Sequence, residues 1–293
     1  MQPDSGNGGG PFELPDGRLI CPHGMVVCEY CRVDYSFLNA VLEEEAGLHR
    51  QQNLARPSTP NSDLDATSTL DIRRGTGNVL PTQFAPPSAT SLPCHLFPGS
   101  LMMSLQACPP VTRFMRRDDQ TQFLIYTDGS CLGNGHTAPK AGWAFVFKPG
   151  TTGGVVSGRL ERKGPFGDVH DQTSDRAELR AVLAALRFRH WPAEGFTTLV
   201  LATDSEYVAR GATEWVRGWV RSGWRTSTGD AVENKDLWEM LLGEVEQFGS
   251  RGLGVEFWRI PRLMNEAADR AAKQAAVLRE TPDNYTEVVG ALV

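Results

Sequence analysis

Hydrophobic positions follow two different periods in the second half of the chain. Apolar and β-branched runs predict five strands, over residues 123–129, 141–150, 153–162, 197–204 and 254–260. Apolar residues at helical spacing predict helices over 173–190, 205–219, 235–248 and 265–278. The resulting order is βββαβααβα, an antiparallel start followed by alternating strands and helices. This pattern indicates an α/β fold in which helices flank a mixed sheet.

The first 120 residues have a different composition. They hold most of the 19 prolines and none of the seven tryptophans, so they lack the aromatic bulk of a large core. We therefore predict a low-order segment over 1–50, a disordered Ser/Thr/Pro-rich linker over 51–120, a folded domain over 121–280 and a tail over 281–293. An alternative stays open for three apolar linker residues, Leu96, Phe97 and Met102, which could dock on the domain that follows.

Charge and hydropathy exclude two classes of protein. The 293 residues carry a net charge of −6, and no stretch approaches the roughly 18 uninterrupted apolar residues of a membrane-spanning helix. A membrane protein and a polycationic coat are therefore not expected, and any nucleic-acid contact must be a local patch. Because the start of the chain resembles neither a secretion signal nor a presequence, we expect an intracellular monomer in the nucleus or cytoplasm.

Three cysteines and a histidine crowd into residues 21–31. Cys21, His23, Cys28 and Cys31 are four candidate ligands for a structural Zn²⁺ ion. Metal binding would supply folding free energy to a segment that is too short to bury its own core. The other interpretation, that these residues are free thiols beside a disordered tail, stays open.

Four carboxylates lie on the predicted elements of the folded domain. Asp128 and Asp204 come where two strands end, Glu178 lies in the first long helix and Asp269 in the last one. Strand ends are where ligand sites gather in α/β sheets. One such acid is usually a helix cap or a surface charge, so the hypothesis of a catalytic site depends on the four together.

The blocks around these acids resemble those of the type 1 ribonuclease H family. They are TDGSCLGNG at 127–135, RAEL at 176–179, TDSEYV at 203–208 and NEAADRAAK at 265–273. The resemblance implies a five-stranded ribonuclease H fold. It also implies a nuclease that cuts the RNA strand of RNA–DNA hybrids to 5′-phosphate and 3′-hydroxyl products. Asp128, Glu178, Asp204 and Asp269 would hold two Mg²⁺ ions, with Mn²⁺ as the alternative metal. The competing hypothesis is a weakly active or inactive module that binds nucleic acid or a protein partner.

Candidate contacts to the hybrid cluster in two places. Arginines that could pair with phosphates alternate with tryptophans that could support sugars, namely Arg217, Trp219, Arg221, Trp224 and Arg225. Trp219 could instead be buried between helices. The resemblance adds Asn134, as a reader of the minor groove, and Ser174, in the place of a hybrid-binding amide. The loop before the last helix departs from the family, because it lacks the usual histidine and carries Arg259 and Arg262.

Overall fold

The computed structural model describes residues 72–102, 111–150, 154–278 and 280–290, together with four short strands nearer the start. The chain divides into two compact units, Met1–Thr69 and Leu70–Val293. In the first unit, β1 (Phe12–Glu13) pairs antiparallel with β2 (Leu19–Ile20), and β3 (Val27–Cys28) pairs antiparallel with β4 (Val33–Asp34). The second unit contains all the elements that the hydrophobic pattern predicts.

The centre of the second unit is a mixed sheet. Its strands are β5 (Thr82–Gln83), β6 (Gly99–Met102), β7 (Val111–Met115), β8 (Gln122–Leu132), β9 (Lys140–Val146), β10 (Val155–Arg159), β11 (Thr198–Thr203) and β12 (Gly254–Arg259). The main path runs β10-β9-β8-β11-β12-β5. The first two pairings are antiparallel and the next three are parallel, as expected for the predicted order of elements.

Helices pack against this sheet, and small residues allow a close approach. The helices are α1 (Pro93–Leu96), α2 (Ser174–Arg187), α3 (Glu206–Arg210), α4 (Val216–Arg221), α5 (Lys235–Ser250) and α6 (Glu266–Ala276). Helix α2 begins as the capping rule predicts, because the Thr173 side chain accepts a hydrogen bond from the Arg176 amide at 3.2 Å. Helix α6 turns buried alanines toward Gly142 of β9, where a Cβ would meet helix backbone at 2.4 Å. Small residues on both sides therefore let the helix backbone approach the sheet.

The fold class is confirmed, but the sheet has eight strands in the described residues rather than the expected five. The three additional strands come from the segment predicted to be a disordered linker. Strand β5 pairs in parallel with β12 at the edge, while β7 pairs antiparallel with β8 and β6 with β7. For residues 72–102 and 111–120, the prediction of a disordered linker is therefore wrong. We call these two ranges the strap.

Two interactions explain why a proline-rich segment is ordered here. Phe97 is fully buried, as the open alternative allowed, and its ring centroid lies 5.7 Å from that of Phe84 and 6.3 Å from that of Trp258. Arg113 of β7 is also fully buried and donates two hydrogen bonds to the Glu194 carboxylate, at 2.9 and 2.7 Å. The strap thus covers apolar sheet surface and neutralises a buried acid. Composition alone does not reveal either role, because a few well-placed residues carry both.

The predicted C-terminal tail also belongs to the domain in its described residues. Tyr285 is buried, and its ring lies 4.3 Å from the Arg180 guanidinium carbon. The Gly290 amide donates to the Phe188 carbonyl at 2.8 Å. A domain end at residue 280 is therefore wrong for 281–290. None of the helices in the described part of the chain combines the length and apolarity needed to cross a bilayer.

Candidate active site

Two of the four carboxylates meet because their strands are parallel neighbours. Strand β11 lies beside β8 with Ala202 opposite Tyr126, and the same register continued by two residues puts Asp204 opposite Asp128. The Thr203 hydroxyl accepts a hydrogen bond from the Ser205 amide at 3.1 Å, which turns the chain immediately after Asp204. The carboxyl groups of Asp128 and Asp204 lie within hydrogen-bonding reach of each other. The prediction from strand ends thus places two acids at one point of the sheet.

Glu178 reaches this point because α2 packs directly on the backbone of β8. A Cβ at Gly129 would lie 2.1 Å from the amide nitrogen of Glu178, so only glycine allows this approach. Gly129 follows Asp128 in the chain, and the contact therefore brings the helix acid beside the strand acid. The Glu178 carboxyl interacts electrostatically with both Asp128 and Asp204.

Asn265 connects α6 to the other elements of the site. Its Nδ2 atom donates to the Thr127 carbonyl at 2.9 Å and to Asp204 Oδ1 at 2.7 Å. The Asp269 amide donates to the Asn265 carbonyl at 3.0 Å, so the first turn of α6 starts from this anchored residue. Sequence reasoning quoted Asn265 within the last block but gave it no role. Its position just before an amphipathic helix predicts a helix cap, but its side chain makes no cap hydrogen bond and bonds to Thr127 and Asp204 instead.

Burial and mutual repulsion hold two of the acids toward their neutral forms. Burial, followed by the charge of Asp204, raises the pKa of Asp128 to about 8. Burial and the charges of Asp128 and Asp204 also raise the pKa of Glu178 well above its usual range. The pKa of Asp269 moves the other way, because hydrogen bonds from Lys273 and Arg262 together outweigh the effect of its burial. Clustered carboxyls of this kind need compensating positive charge to ionise together.

The donor set fits a hard divalent cation. Asp128 Oδ2, Glu178 Oε2 and Asn265 Oδ1 are buried and have no hydrogen-bond partner among the described residues. Such atoms are costly unless something binds them, and hard cations such as Mg²⁺ and Mn²⁺ prefer oxygen ligands. The described side chains do not form a ready-made group of three or more metal ligands. Both oxygens of Asp269 instead contact cationic side chains, those of Arg262 and Lys273.

The short loop before α6 supplies one of these cations. Arg262 lies in a single 3₁₀ turn, Arg262–Met264, and its Nη2 atom donates to Asp269 Oδ1. Its Nη1 atom lies 3.9 Å from Asp204 Oδ2. Arg259 instead pairs with Glu206 at 3.1 Å, so of the two loop arginines Arg262 is the one at the carboxylates. The sequence raised both residues as substitutes for the missing histidine and could not decide between them.

The candidate substrate contacts do not form one patch. Within α4, residues four apart share a face and residues two apart lie on opposite sides. Arg217 and Arg221 therefore share one face, where they line a groove of about 470 Å³ with strap residues such as Gln83. Trp219 lies on the other face and lines a separate groove with Arg225. The predicted cluster is thus divided between two sides of the helix.

Both candidate tryptophans, Trp219 and Trp224, pack against the hydrophobic core. Trp219 is partly buried, with its ring 5.4 Å from that of Trp238, so the alternative of packing between helices describes most of its environment. Trp224 also packs against the core and has a left-handed backbone, with φ of 65°. The three arginines and Asn134 are exposed, while Ser174 is partly buried at the start of α2.

The candidate zinc ligands lie outside the described residues. Only the backbone of Cys28 is described, in strand β3. Nothing in the structure bears on the side chains of the four candidates, Cys21, His23, Cys28 and Cys31. The zinc site therefore stays a prediction from the sequence.

An α/β domain with a mixed sheet, with Asp128 and Asp204 at adjacent strand ends and Glu178 beside them, defines the class of nucleases with a ribonuclease H fold. The sequence model of the RNase H family matches residues 120–277, more than half of the chain. This protein belongs to the type 1 ribonuclease H family, enzymes that hydrolyse RNA in RNA–DNA hybrids. The resemblance found in the four sequence blocks is thereby confirmed.

Named relatives match the same part of the chain. Ribonuclease H of Treponema pallidum subsp. pallidum is 36% identical over 161 residues, covering 52% of this chain and 89% of that protein. Ribonuclease HI of Xylella fastidiosa is 41% identical over 123 residues, covering 42% of this chain and 71% of that protein. Ribonuclease H1 of Mus musculus is 36% identical over 160 residues, or 52% of this chain and 50% of that protein.

Proposed function

We propose that this protein is an endonuclease that hydrolyses the RNA strand of RNA–DNA hybrids by two-metal-ion catalysis, leaving 5′-phosphate and 3′-hydroxyl ends. The observation that carries the proposal is the pair of buried carboxylate oxygens, Asp128 Oδ2 and Glu178 Oε2, that have no partner among the described residues. Asp128 lies beside Asp204 at adjacent strand ends and Glu178 enters from α2, in a chain of the ribonuclease H family.

Four carboxylates would hold the metal, namely Asp128, Glu178, Asp204 and Asp269. Two Mg²⁺ ions, or Mn²⁺ ions, supply positive charge to the attacking and leaving oxygens when they are bound. The protein orients the ligands. Asn265 fixes one oxygen of Asp204 by its hydrogen bond, and the contact of α2 with Gly129 fixes where Glu178 enters the site. Preorganised ligands of this kind avoid a reorganisation cost during the reaction.

Binding of the hybrid would use polar side chains near these elements. Asn134 is exposed in the turn that follows β8, the strand of Asp128, and Ser174 is partly buried at the start of α2, the helix of Glu178. The exposed guanidinium groups of Arg217, Arg221 and Arg225 suit phosphates. Since the net charge of the chain is −6, these three arginines, on two sides of α4, would carry the local electrostatic attraction.

The proposal is tested by cleavage of a labelled hybrid with the full chain, in Mg²⁺ or Mn²⁺ and in chelator. The wild type should cut only the RNA strand and only with metal, and Asp128→Asn should not cut. RNA and DNA duplexes of the same sequence are the matched substrates, and phosphatase treatment identifies the terminal phosphates. Equal cleavage by the wild type and by Asp128→Asn would contradict the site.

A second candidate is a hybrid-binding module with little or no catalysis. The observation that favours it is the loop before α6, where Arg262 contacts Asp269 and no histidine is present to move protons. The two candidates differ in one measurement. A module would bind the hybrid as tightly as an enzyme, yet it would leave both strands intact at saturating Mn²⁺.

A further inference from the structure

The four carboxylates are not equivalent in their contacts. Asp128 and Glu178 each keep one buried oxygen without a partner among the described residues. Asp269, in contrast, has a cation on each oxygen. Oδ1 accepts from Arg262 Nη2, and Oδ2 accepts from Lys273 Nζ at 2.7 Å. One part of the site is therefore open to an incoming ion, and another part is already neutralised by the chain itself.

The backbone holds both cations in reach of Asp269. Lys273 lies four residues after Asp269 in α6, so the two side chains share one face of the helix. Arg262 follows Pro261, and its carbonyl accepts a hydrogen bond from the Asn265 amide at 2.9 Å. Its backbone is thus tied to the residue that also anchors Asp204. The side chain itself is 66% exposed and can move away without disturbing the core.

Arg262 also contacts a second acid of the site. Its Nη1 atom lies 3.9 Å from Asp204 Oδ2, so one guanidinium group spans Asp204 and Asp269. A divalent ion bound at Asp269 would carry positive charge into the space that this guanidinium occupies. Two like charges cannot occupy that space together at low cost, so the guanidinium and the ion compete.

We infer that Arg262, together with Lys273, caps Asp269 in the metal-free protein and must be displaced before Asp269 can become a metal ligand. The inference rests on the proposed function. It makes Arg262 a positioning residue that separates the two metal sites. The site at Asp128 and Glu178 fills first. The site at Asp269 fills only at metal concentrations high enough to displace the cap, and this sets a metal threshold for activity.

Direct metal binding tests the cap without an activity assay. Free Mn²⁺ is counted by electron paramagnetic resonance during titration of the full chain, and the sites lost in Asp128→Asn/Asp204→Asn are assigned to the cluster. Arg262→Gln removes the cap charge from an exposed side chain. We expect about tenfold tighter binding at the weaker cluster site, the size of effect that follows from losing one charge-assisted contact.

Arg270→Gln is the matched control. Arg270 is exposed in α6, next to Asp269, and the change removes the same charge without removing a contact to that acid. If only the overall positive charge near the site matters, and not the contact with Asp269, Arg262→Gln and Arg270→Gln should bind Mn²⁺ equally well. The cap predicts less than about a twofold effect for Arg270→Gln. Lys273→Gln should tighten the weaker site in the same direction as Arg262→Gln.

Two results would overturn the inference, namely an Arg262→Gln affinity within twofold of the wild type, or equal shifts in the Arg262→Gln and Arg270→Gln variants. Failure of the proposed function looks different. In that case the wild type binds no Mn²⁺ at the cluster and cuts no hybrid at any metal concentration. If the wild type binds Mn²⁺ and cuts hybrid while Arg262→Gln binds Mn²⁺ with unchanged affinity, only the inference about the cap is refuted and the proposed function stands.

Discussion

Replacing Arg113 by Met should destabilise the protein strongly, because its guanidinium is buried and neutralises Glu194. The two residues are joined by hydrogen bonds of 2.9 and 2.7 Å, and the side chains are 0% and 5% exposed. Breaking a buried pair by removing one partner typically costs about 3 to 5 kcal/mol. Arg189 stays 2.9 Å from Glu194, which favours the lower value, about 3 kcal/mol. For a unit of this size, the melting temperature should fall by about 6 to 12 °C.

The assay is guanidinium unfolding of the full chain, followed by tryptophan fluorescence. Arg117→Met is the matched control, since Arg117 follows β7 in the same strap and its side chain is exposed. It should cost about 1 kcal/mol or less. A double-mutant cycle with Glu194→Gln should show a coupling of at least about 0.5 kcal/mol, because both substitutions break the same ion pair. If Arg113→Met costs no more than the control, the strap is not docked as described, and the reasoning fails.

The remaining predictions concern the site, the cationic surface and the first unit. Asp128→Asn should abolish cleavage and stabilise the metal-free protein. Burial raises the pKa of this carboxyl to about 8 from 3.8, so wild-type stability falls as pH rises between these values, by up to about 1.4 kcal/mol per pH unit. Melting curves at pH 5 and pH 7.5 check this, and a constant difference between variant and wild type would contradict it. Changing Arg217, Arg221 and Arg225 together to Ala should weaken the salt dependence of hybrid binding. Titrations with hybrid at several salt concentrations should show the slope of log affinity against log salt falling by at most about one unit per arginine. An unchanged slope would exclude these arginines as phosphate contacts. A reduced peptide over 17–48 should bind one Co²⁺ with intense visible absorption, and a colourless peptide would remove the zinc hypothesis.

The strand and helix positions could be predicted because local patterns determine them. Strand β8 alternates between two buried faces, with Phe123 and Ile125 in one cluster and Leu124 in the other. Because β8 pairs in parallel with β11, the register of the two strands places Asp128 opposite Asp204. Glu178 was predicted from the RAEL block alone. The structure adds the physical reason why it reaches the site: Gly129 has no side chain, so α2 can pack directly on β8.

The strap could not be predicted, because its order depends on partners far away in sequence. Strand β5 has two residues, too few to show any period. Phe97 and Arg113 look like isolated residues in a polar, proline-rich stretch until Trp258 and Glu194 are placed beside them. The contacts of Arg262 were also out of reach, since they depend on which way an exposed side chain turns from a short loop.

The Arg180–Glu161 ion pair has a consequence for the order of folding. Both side chains are only 2% exposed, and the pair is closed by the tail, where the Thr286 carbonyl accepts from Arg180 and its hydroxyl donates to Glu161. These tail contacts span 106 and 125 residues, so loop closure must precede any gain from them. A nascent chain therefore cannot finish burying Glu161 until Thr286 has left the ribosome. We expect the domain to complete its core only at that point, rather than in step with the synthesis of its strands.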